Sequence, residues 1–271
     1  MSEIRVRRSD LAAVGSRSLE IQALMTPERM QGLGFGFALL PVLRRLYPAK
    51  EDLARALRRH LAYFATHPIL AGYALGVAAR LEERRAGGEE IGDDEIDQLK
   101  RSLASPLAAM GDPLFWVTLR PFAGLVGILG IVFVPSAYSM GPDLRVLLCP
   151  LLTLLTYNAV AWPFRALGVP RGYALADRPG ELLRSLHLAE WNTAVSRAAA
   201  LGYGALLAAT WLLLDLESKA WGLDGRARAV SLAPLLLGGW IGLAGLKRWP
   251  GRGVEVGLAA LLSAGLLALG V

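Results

Sequence analysis

Apolar runs, and the residues that interrupt them, divide the chain into two unlike halves. The second half holds five stretches near the length that a helix needs to cross a bilayer, roughly 20 residues within a range of about 17–25. They are Pro121 to Ser139, Val146 to Phe164, Ala198 to Leu214, Val230 to Leu246 and Val256 to Val271. The third is bounded by Arg197 and Asp215 and the last is short, so each also suits a tilted or interfacial helix. In the first half the apolar segments are shorter and interrupted. Gln31 to Leu43 contains Gly32, Gly34, Gly36 and Pro41, Pro68 to Ala79 contains Gly72 and Gly76, and Leu103 to Leu119 contains Pro106, Gly111, Asp112 and Pro113. Broken apolar helices are tolerated at membrane depth only where protein or a water-filled cavity satisfies the freed backbone groups. These segments therefore read either as broken or re-entrant helices or as core helices of a folded cytoplasmic half.

Polar amphipathic stretches lie between them. Ala49 to Phe64 predicts a helix with Leu53, Leu57, Leu61 and Phe64 on one side and Glu51, Arg55, Arg58 and Arg59 elsewhere. Leu81 to Lys100 is highly charged, and Gly87 with Gly88 divides it into two helical pieces. The expected fold is all-α: a polytopic membrane protein with a helical N-terminal region over residues 1–118 and a transmembrane region over 119–271. No strand pattern or tandem repeat is present, and no cleaved leader is expected after the polar start Met1 to Arg8.

Composition supports the membrane reading. The chain is 54% hydrophobic and 19% charged, with mean hydropathy +0.41; soluble domains are about 45–50% apolar and about 25% charged. The net charge of +6 and pI near 9.8 raise the question of nucleic acid. The arginines stand beside apolar runs, which points to anionic lipid headgroups and away from nucleic acid. With the basic first half placed in the cytoplasm, Arg165, Arg171, Arg178, Arg184 and Arg197 face inward, as do Lys247, Arg248 and Arg252.

Motif chemistry is sparse. The single Cys149 forms no intrachain disulfide and no thiolate metal site, and His60, His67 and His187 form no HExxH or Cys/His set. His60 and His67 read as interfacial histidines. Gly32, Leu33, Gly34, Phe35, Gly36 lacks GxGxxG spacing, so close helix packing through Gly32 and Gly36, as through Gly238 and Gly242, is its reading. No GxSxG elbow occurs. Neither a cofactor nor a metal is expected, and no catalytic residue is assigned.

Two places carry candidate chemistry. Asp112 interrupts an otherwise uncharged run, and an ionisable group at membrane depth is costly unless it faces a cavity or a partner. The other reading is that Gly111, Asp112 and Pro113 form a surface turn with Asp112 capping the next helix. Glu28, Arg29 and Gln31 precede the glycine-rich segment, and carboxylates and amides suit sugar hydroxyls because each offers several acceptors or donors. The competing reading is a helix start with Thr26 as N-cap and Pro27 at the first position.

At these residues the sequence resembles the IID subunit of mannose-type sugar phosphotransferase systems. Pro27, Glu28, Arg29, Met30, Gln31, Gly32, Leu33, Gly34, Phe35 looks like that family's opening signature. Arg44 to Pro48, then Arg59, His60, Leu61 with Phe64, Thr66, His67, Pro68, then Leu81, Glu82, Glu83 continue it. Pro106, Leu107, Ala108, Gly111 to Trp116 and Arg120, Pro121 complete it, with Tyr157, Asn158 and Arg165 to Tyr173 matching more loosely. The chain departs from the usual pattern at Thr26, Pro27, Ala65, Ser105, Ala109 and Val117, where amides, an aromatic or glycines are customary.

The resemblance implies a bacterial inner-membrane, multi-pass protein with a cytoplasmic N-terminus. It implies that the chain pairs with a IIC membrane subunit to conduct mannose-type hexoses or related sugars, in an oligomer of IIC-IID pairs. Cytoplasmic IIA and IIB proteins would carry the phosphoryl group, leaving this chain without a phosphoryl-transfer site of its own. The site residues implied are Glu28, Arg29, Gln31, Thr66, Asp112 and Arg120. A second reading is a regulatory or scaffold membrane subunit that carries no sugar.

Overall fold

The structure is a computed structural model describing residues 5–133 and 142–220. Among these the elements are helical: α1 (Arg8–Ser18), α2 (Gly32–Leu46), α3 (Lys50–His60), α4 (Ala71–Ala86), α5 (Asp93–Asp112), a π-helical stretch Pro113–Leu119, α6 (Arg120–Phe133), α7 (Pro142–Ala174), α8 (Pro179–Arg184) and α9 (Leu188–Ala220). They form two compact units, residues 5–112 with Val160–His187, and residues 113–159 with 188–220. The expected segments Val230 to Leu246 and Val256 to Val271, the Gly238 and Gly242 pair, and the basic positions Lys247, Arg248 and Arg252 lie outside the described residues.

The first unit is built around α4. From Ala71 to Ala79 the sequence is small or apolar on every side, and every one of these residues is buried; a helix apolar all round belongs in a core. Nine such residues rise only about 14 Å, less than half of a hydrocarbon core of roughly 30 Å. Phe35, Leu39, Val42 and Leu43 of α2, Ala56 of α3, Val14 of α1 and Val169 of α7 share that core. Gly72 faces Gly168, and a Cβ at Gly76 or Gly172 would overlap backbone of Val169 or Tyr73. Small residues here let two helix backbones approach closely. Gly32 packs on the Ala62 carbonyl and Gly36 on Leu57 and Leu61, as expected for close packing.

The sequence reading needs correcting at several points. Helix α2 runs unbroken through Pro41, and α4 through Gly72 and Gly76. No helix starts at Thr26 and Pro27; α2 starts at Gly32. Asp112 does not open a new helix, because the helical path continues through it into the π-helical turns at Pro113. Proline has no N–H to donate, and a widened turn accommodates that loss. The expected stretch Val146 to Phe164 is part of a longer helix: α7 runs from Pro142 to Ala174 and carries Arg165 and Arg171, expected to face inward, as well. The division of Leu81 to Lys100 holds: α4 stops at Ala86, and Gly88 takes φ +102 before α5. Helix α1 was not anticipated; the Arg7 N–H donates to Asp10 Oδ2 at 2.8 Å at its start.

In the second unit, Thr118 donates to Asn192 Oδ1 at 2.8 Å, tying the π-helical stretch to α9. Leu125, Ala199 and Tyr203 form its core with Phe122 and Leu129 beside them. Among the described residues of the whole chain, two helical stretches, Asp93–Gly130 and Leu147–Ala174, are long and apolar enough to cross a membrane. The apolar window of Leu147–Ala174 is only 11% buried, with Leu147, Leu151, Leu154 and Leu155 more than half exposed. A soluble core helix would hide such a surface, so exposure joins hydropathy in marking this helix as a candidate span.

Candidate functional site

The opening motif forms a tight turn rather than a helix. Thr26 and Met30 exchange backbone hydrogen bonds, Met30 N–H to the Thr26 carbonyl at 2.7 Å and Thr26 N–H to Met30 at 3.2 Å. Met30 takes φ 50, and the Arg29 N–H donates to Thr26 Oγ1 at 3.3 Å. The side chains of Pro27, Glu28 and Arg29 are thereby left exposed at its tip. No ion pair between Glu28 and Arg29 forms among the described residues. The turn is held from below, where Gln31 N–H donates to the Phe64 carbonyl at 2.8 Å and Phe64 N–H to that of Arg29 at 3.3 Å.

Gln31 and Thr66, distant in sequence, meet in the interior. The Gln31 amide donates through Nε2 to the Thr66 carbonyl at 2.8 Å and accepts at Oε1 from the Thr66 N–H at 3.1 Å. Thr66 Oγ1 donates to the Ala104 carbonyl of α5 at 2.9 Å. Both side chains are buried, and their polar atoms pin the 61–70 connection, which links α3 to α4, against the turn on one side and α5 on the other. His67, next in line, packs its ring against Gly111. Burial, with the Arg165 cation nearby, holds its imidazole down to about 4.

The densest polar constellation is one that the sequence reading passed over. Glu82, fully buried on α4, accepts from Arg59 Nε at 2.7 Å, Arg59 Nη2 at 3.1 Å, Tyr47 OH at 2.7 Å and His60 Nε2 at 2.6 Å. Burial alone would raise the Glu82 carboxyl, but the hydrogen bonds from His60 and Arg59 outweigh it and hold it at about 2. His60 is itself fully buried and pushed below its ordinary value, chiefly by burial, so a neutral imidazole donates Nε2–H to an ionised Glu82. Burial, then the charge of Glu82, pushes the Tyr47 phenol up. Lys100 Nζ closes the cluster from α5, donating to the Arg59 carbonyl at 3.2 Å and lying 5.0 Å from the Phe35 ring centroid. His60 and His67 are therefore core residues, not interfacial ones. Arg59, His60 and Glu82 all stand in the motif landmarks, and that shared membership was the available signal.

Glu83, beside Glu82, performs a parallel task at the edge of the unit. It accepts the Val6 N–H at 2.7 Å, Arg80 Nη1 at 2.6 Å and the Tyr173 hydroxyl, so it joins the N-terminal segment to α4 and α7. Asp10 likewise pairs with Arg45, tying α1 to α2.

The remaining candidates stand apart from these clusters. Asp112 is exposed at the end of α5. Arg120, in the second unit, is exposed and stacks over Trp116 at 5.5 Å from the ring centroid. The two line a shallow cavity of about 310 Å³ with Ala123, Thr153, Leu154 and Tyr157. Among the described residues no group of three or more His, Cys, Asp or Glu side chains gathers to hold a metal.

A family model described as the PTS system mannose/fructose/sorbose family IID component matches residues 5–217, a range that takes in both units. The chain belongs to the IID family. Among its relatives are the mannose-specific EIID component of Escherichia coli (strain K12), 41% identical over 191 residues, covering 68% of this chain and 64% of that one. The sorbose-specific EIID component of Klebsiella pneumoniae is 37% identical over 191 residues, covering 69% and 66%. This IID chain thus spans about 64% of the length of the mannose-specific relative. Its fold is similar to a chain in a cryoEM structure of the mannose transporter ManYZ with microcin E492, at 39% identity, TM-score 0.57 and coverage of 76% and 71%. A second solved membrane protein is similar at 38% identity and TM-score 0.60, covering 75% and 71%. In this IID chain the motif residues Gln31, Tyr47, Arg59, His60, Thr66, Glu82 and Glu83 join separate segments of the first unit.

Proposed function

We propose that the chain is a membrane subunit of a phosphoenolpyruvate-dependent sugar phosphotransferase system, forming with a IIC subunit the translocating unit for mannose-type hexoses or related sugars. The observation that carries this is the family match across residues 5–217, in relatives named for mannose and sorbose. IIA and IIB proteins supply the phosphoryl group, and IIC-IID pairs assemble into a higher oligomer. The protein lies in the bacterial inner membrane with its N-terminus cytoplasmic and about five spanning helices beyond residue 118; the first-half helices lie on the cytoplasmic side or re-enter. Labelling of a cysteine placed at Arg178 from the periplasmic side would overturn that orientation.

Glu28, Arg29, Gln31, Thr66, Asp112 and Arg120 remain the substrate-binding proposal, with distinct roles. Exposed Glu28, Arg29, Asp112 and Arg120 are free to meet a sugar or a partner, whereas Gln31 and Thr66 hold the turn that presents Glu28 and Arg29. Radiolabelled sugar uptake in cells lacking their own IID, supplied with IIC and this chain, tests the function; uptake that is equal without the chain refutes it. In the same assay Glu28→Gln and Asp112→Asn keep size and remove charge. Loss of a hydrogen bond to a charged group costs roughly 1.5–3 kcal/mol, about ten- to a hundredfold in affinity. Uptake per assembled complex should fall accordingly, and near-normal uptake in both variants removes the site while leaving the subunit assignment.

A further inference from the structure

The first unit has an open cleft where one face of α3 meets the ends of α2 and α4 and the start of α5. Its charged walls are Arg55, Arg58, Arg59 and Arg85 against two carboxylates, Asp52 and Asp93. The four arginines are not equally committed. Arg59 spends Nε and Nη2 on buried Glu82 and has Nη1 left, which donates to Asp93 Oδ1 at 3.1 Å. Arg85 Nη1 donates to that same oxygen. Arg55 pairs with Asp52, and Arg58 is exposed and makes no ion pair among the described residues.

Two guanidinium groups from different helices that converge on one oxygen define an oxyanion position. Asp93 fills it with one oxygen of a monoanion, from a side chain that is 61% exposed. An ion pair so exposed shifts an equilibrium by at most about fivefold, so turning the Asp93 side chain aside costs little. Charge and shape then separate the anions that could replace it. A carboxylate from another molecule brings nothing that Asp93 lacks, and Asp93 has the advantage of its tether. A phosphate group brings nearly twice the charge and three oxygens, in a shape that guanidinium forks match. Arg58 lines the same cleft with its charge still unspent.

We infer that this cleft is a phosphate site that Asp93 holds closed: inorganic phosphate or a small phosphate monoester displaces the Asp93 side chain and takes Nη1 of Arg59 and of Arg85, with Arg58 as the third cation. Asp93 is thus a built-in competitor, and removing its charge should open the site. None of the residues proposed for sugar contributes, so the site stands whether or not the chain carries sugar.

The test titrates inorganic phosphate into the full chain, co-purified with its IIC partner in mild detergent and phosphate-free buffer, and reads binding from phosphorus NMR line broadening. Asp93→Asn should tighten binding about three- to fivefold. Arg85→Gln should weaken it at least about tenfold and Arg58→Gln about threefold. Arg101→Gln, whose residue pairs with Asp97 outside the cleft, should change nothing. The Asp93 variant decides the matter, because a misfolded protein loses binding and cannot gain it. Equal binding by wild type and Asp93→Asn overturns the proposal, as does binding within about twofold of wild type in Arg85→Gln. Succinate binding as tightly as phosphate also overturns it, in favour of an acidic partner. Phenyl phosphate distinguishes the two sources within a confirmed site: binding at least as tight as inorganic phosphate supports a monoester ligand, and weaker binding supports free phosphate.

Discussion

Replacing Glu82 with Gln tests the polar cluster at the heart of the first unit. The side chain keeps its shape, but a carboxylate that accepts four hydrogen bonds from Arg59, His60 and Tyr47 becomes an amide with one acceptor oxygen. Its NH₂ then faces donors, and the Arg59 guanidinium keeps only Asp93, which is largely exposed, as a carboxylate partner. Removing one partner of a buried ion pair costs about 3–5 kcal/mol, because the other charge is left uncompensated. With about 2–4 °C per kcal/mol for a chain of this size, the melting temperature of the purified complex should drop by about 6–20 °C. Glu82→Gln combined with Arg59→Met removes both charges and should recover part of the loss, which a double-mutant cycle measures directly. Thermal unfolding followed by loss of the far-ultraviolet helical signal suits the assay, since the elements that the cluster joins are helices. A shift under about 2 °C for Glu82→Gln, with normal assembly, would refute the claim that the carboxylate anchors three elements.

Two further outcomes follow from the same unit. His67 sits near 4 in the fold against 6.5 in the unfolded chain, so between those values the unfolded state binds the extra proton. The stability that His67 confers is whole above about 6.5 and declines as pH falls toward about 4, by up to about 1.4 kcal/mol per pH unit; melting curves from pH 7.5 to 4.5 should show a shallower decline in His67→Gln. Gly76→Ala should destabilise the α4 and α7 contact far more than Gly124→Ala, because the new methyl overlaps the Val169 carbonyl in the first case and meets nothing in the second; equal melting temperatures would contradict the packing.

The helical class, the division at Gly87 and Gly88 and the tight packing at Gly32 and Gly36 were legible because each has a local cause in composition or spacing. The apolar stretch Val146 to Phe164 was legible because hydropathy alone marks it, but not that its helix runs on through Arg165 and Arg171 to Ala174. Helix α1 was not, since its polar sequence carries no strong amphipathic signal and its stability comes from Asp10 meeting Arg45 and Val6 meeting Glu83, both pairings far apart in sequence. The Glu82 cluster escaped for the same reason: Tyr47, Arg59 and Glu82 come from separate segments, and only their common place in the family landmarks linked them. The continuity of α2 and α4 was missed because glycine and proline are helix breakers in isolation. Here neighbouring backbone and side chains occupy the space that the glycines leave.

The first unit is not finished where its first 112 residues end, because Val160–His187 belong to it. Tyr173 supplies a hydroxyl to Glu83, Gly172 lies on Tyr73 and Asp177 pairs with Arg84 at 2.5 Å. A ribosome that has made only residues 1–159 has therefore produced α4 with one flank uncovered. That flank closes only once Val160–His187 has been made and can reach α4. Completion of the first unit thus waits on a segment made after an intervening stretch that belongs to the second unit, and a lesion that keeps Val160–His187 from docking would surface first as exposure of α4 to proteases or chaperones.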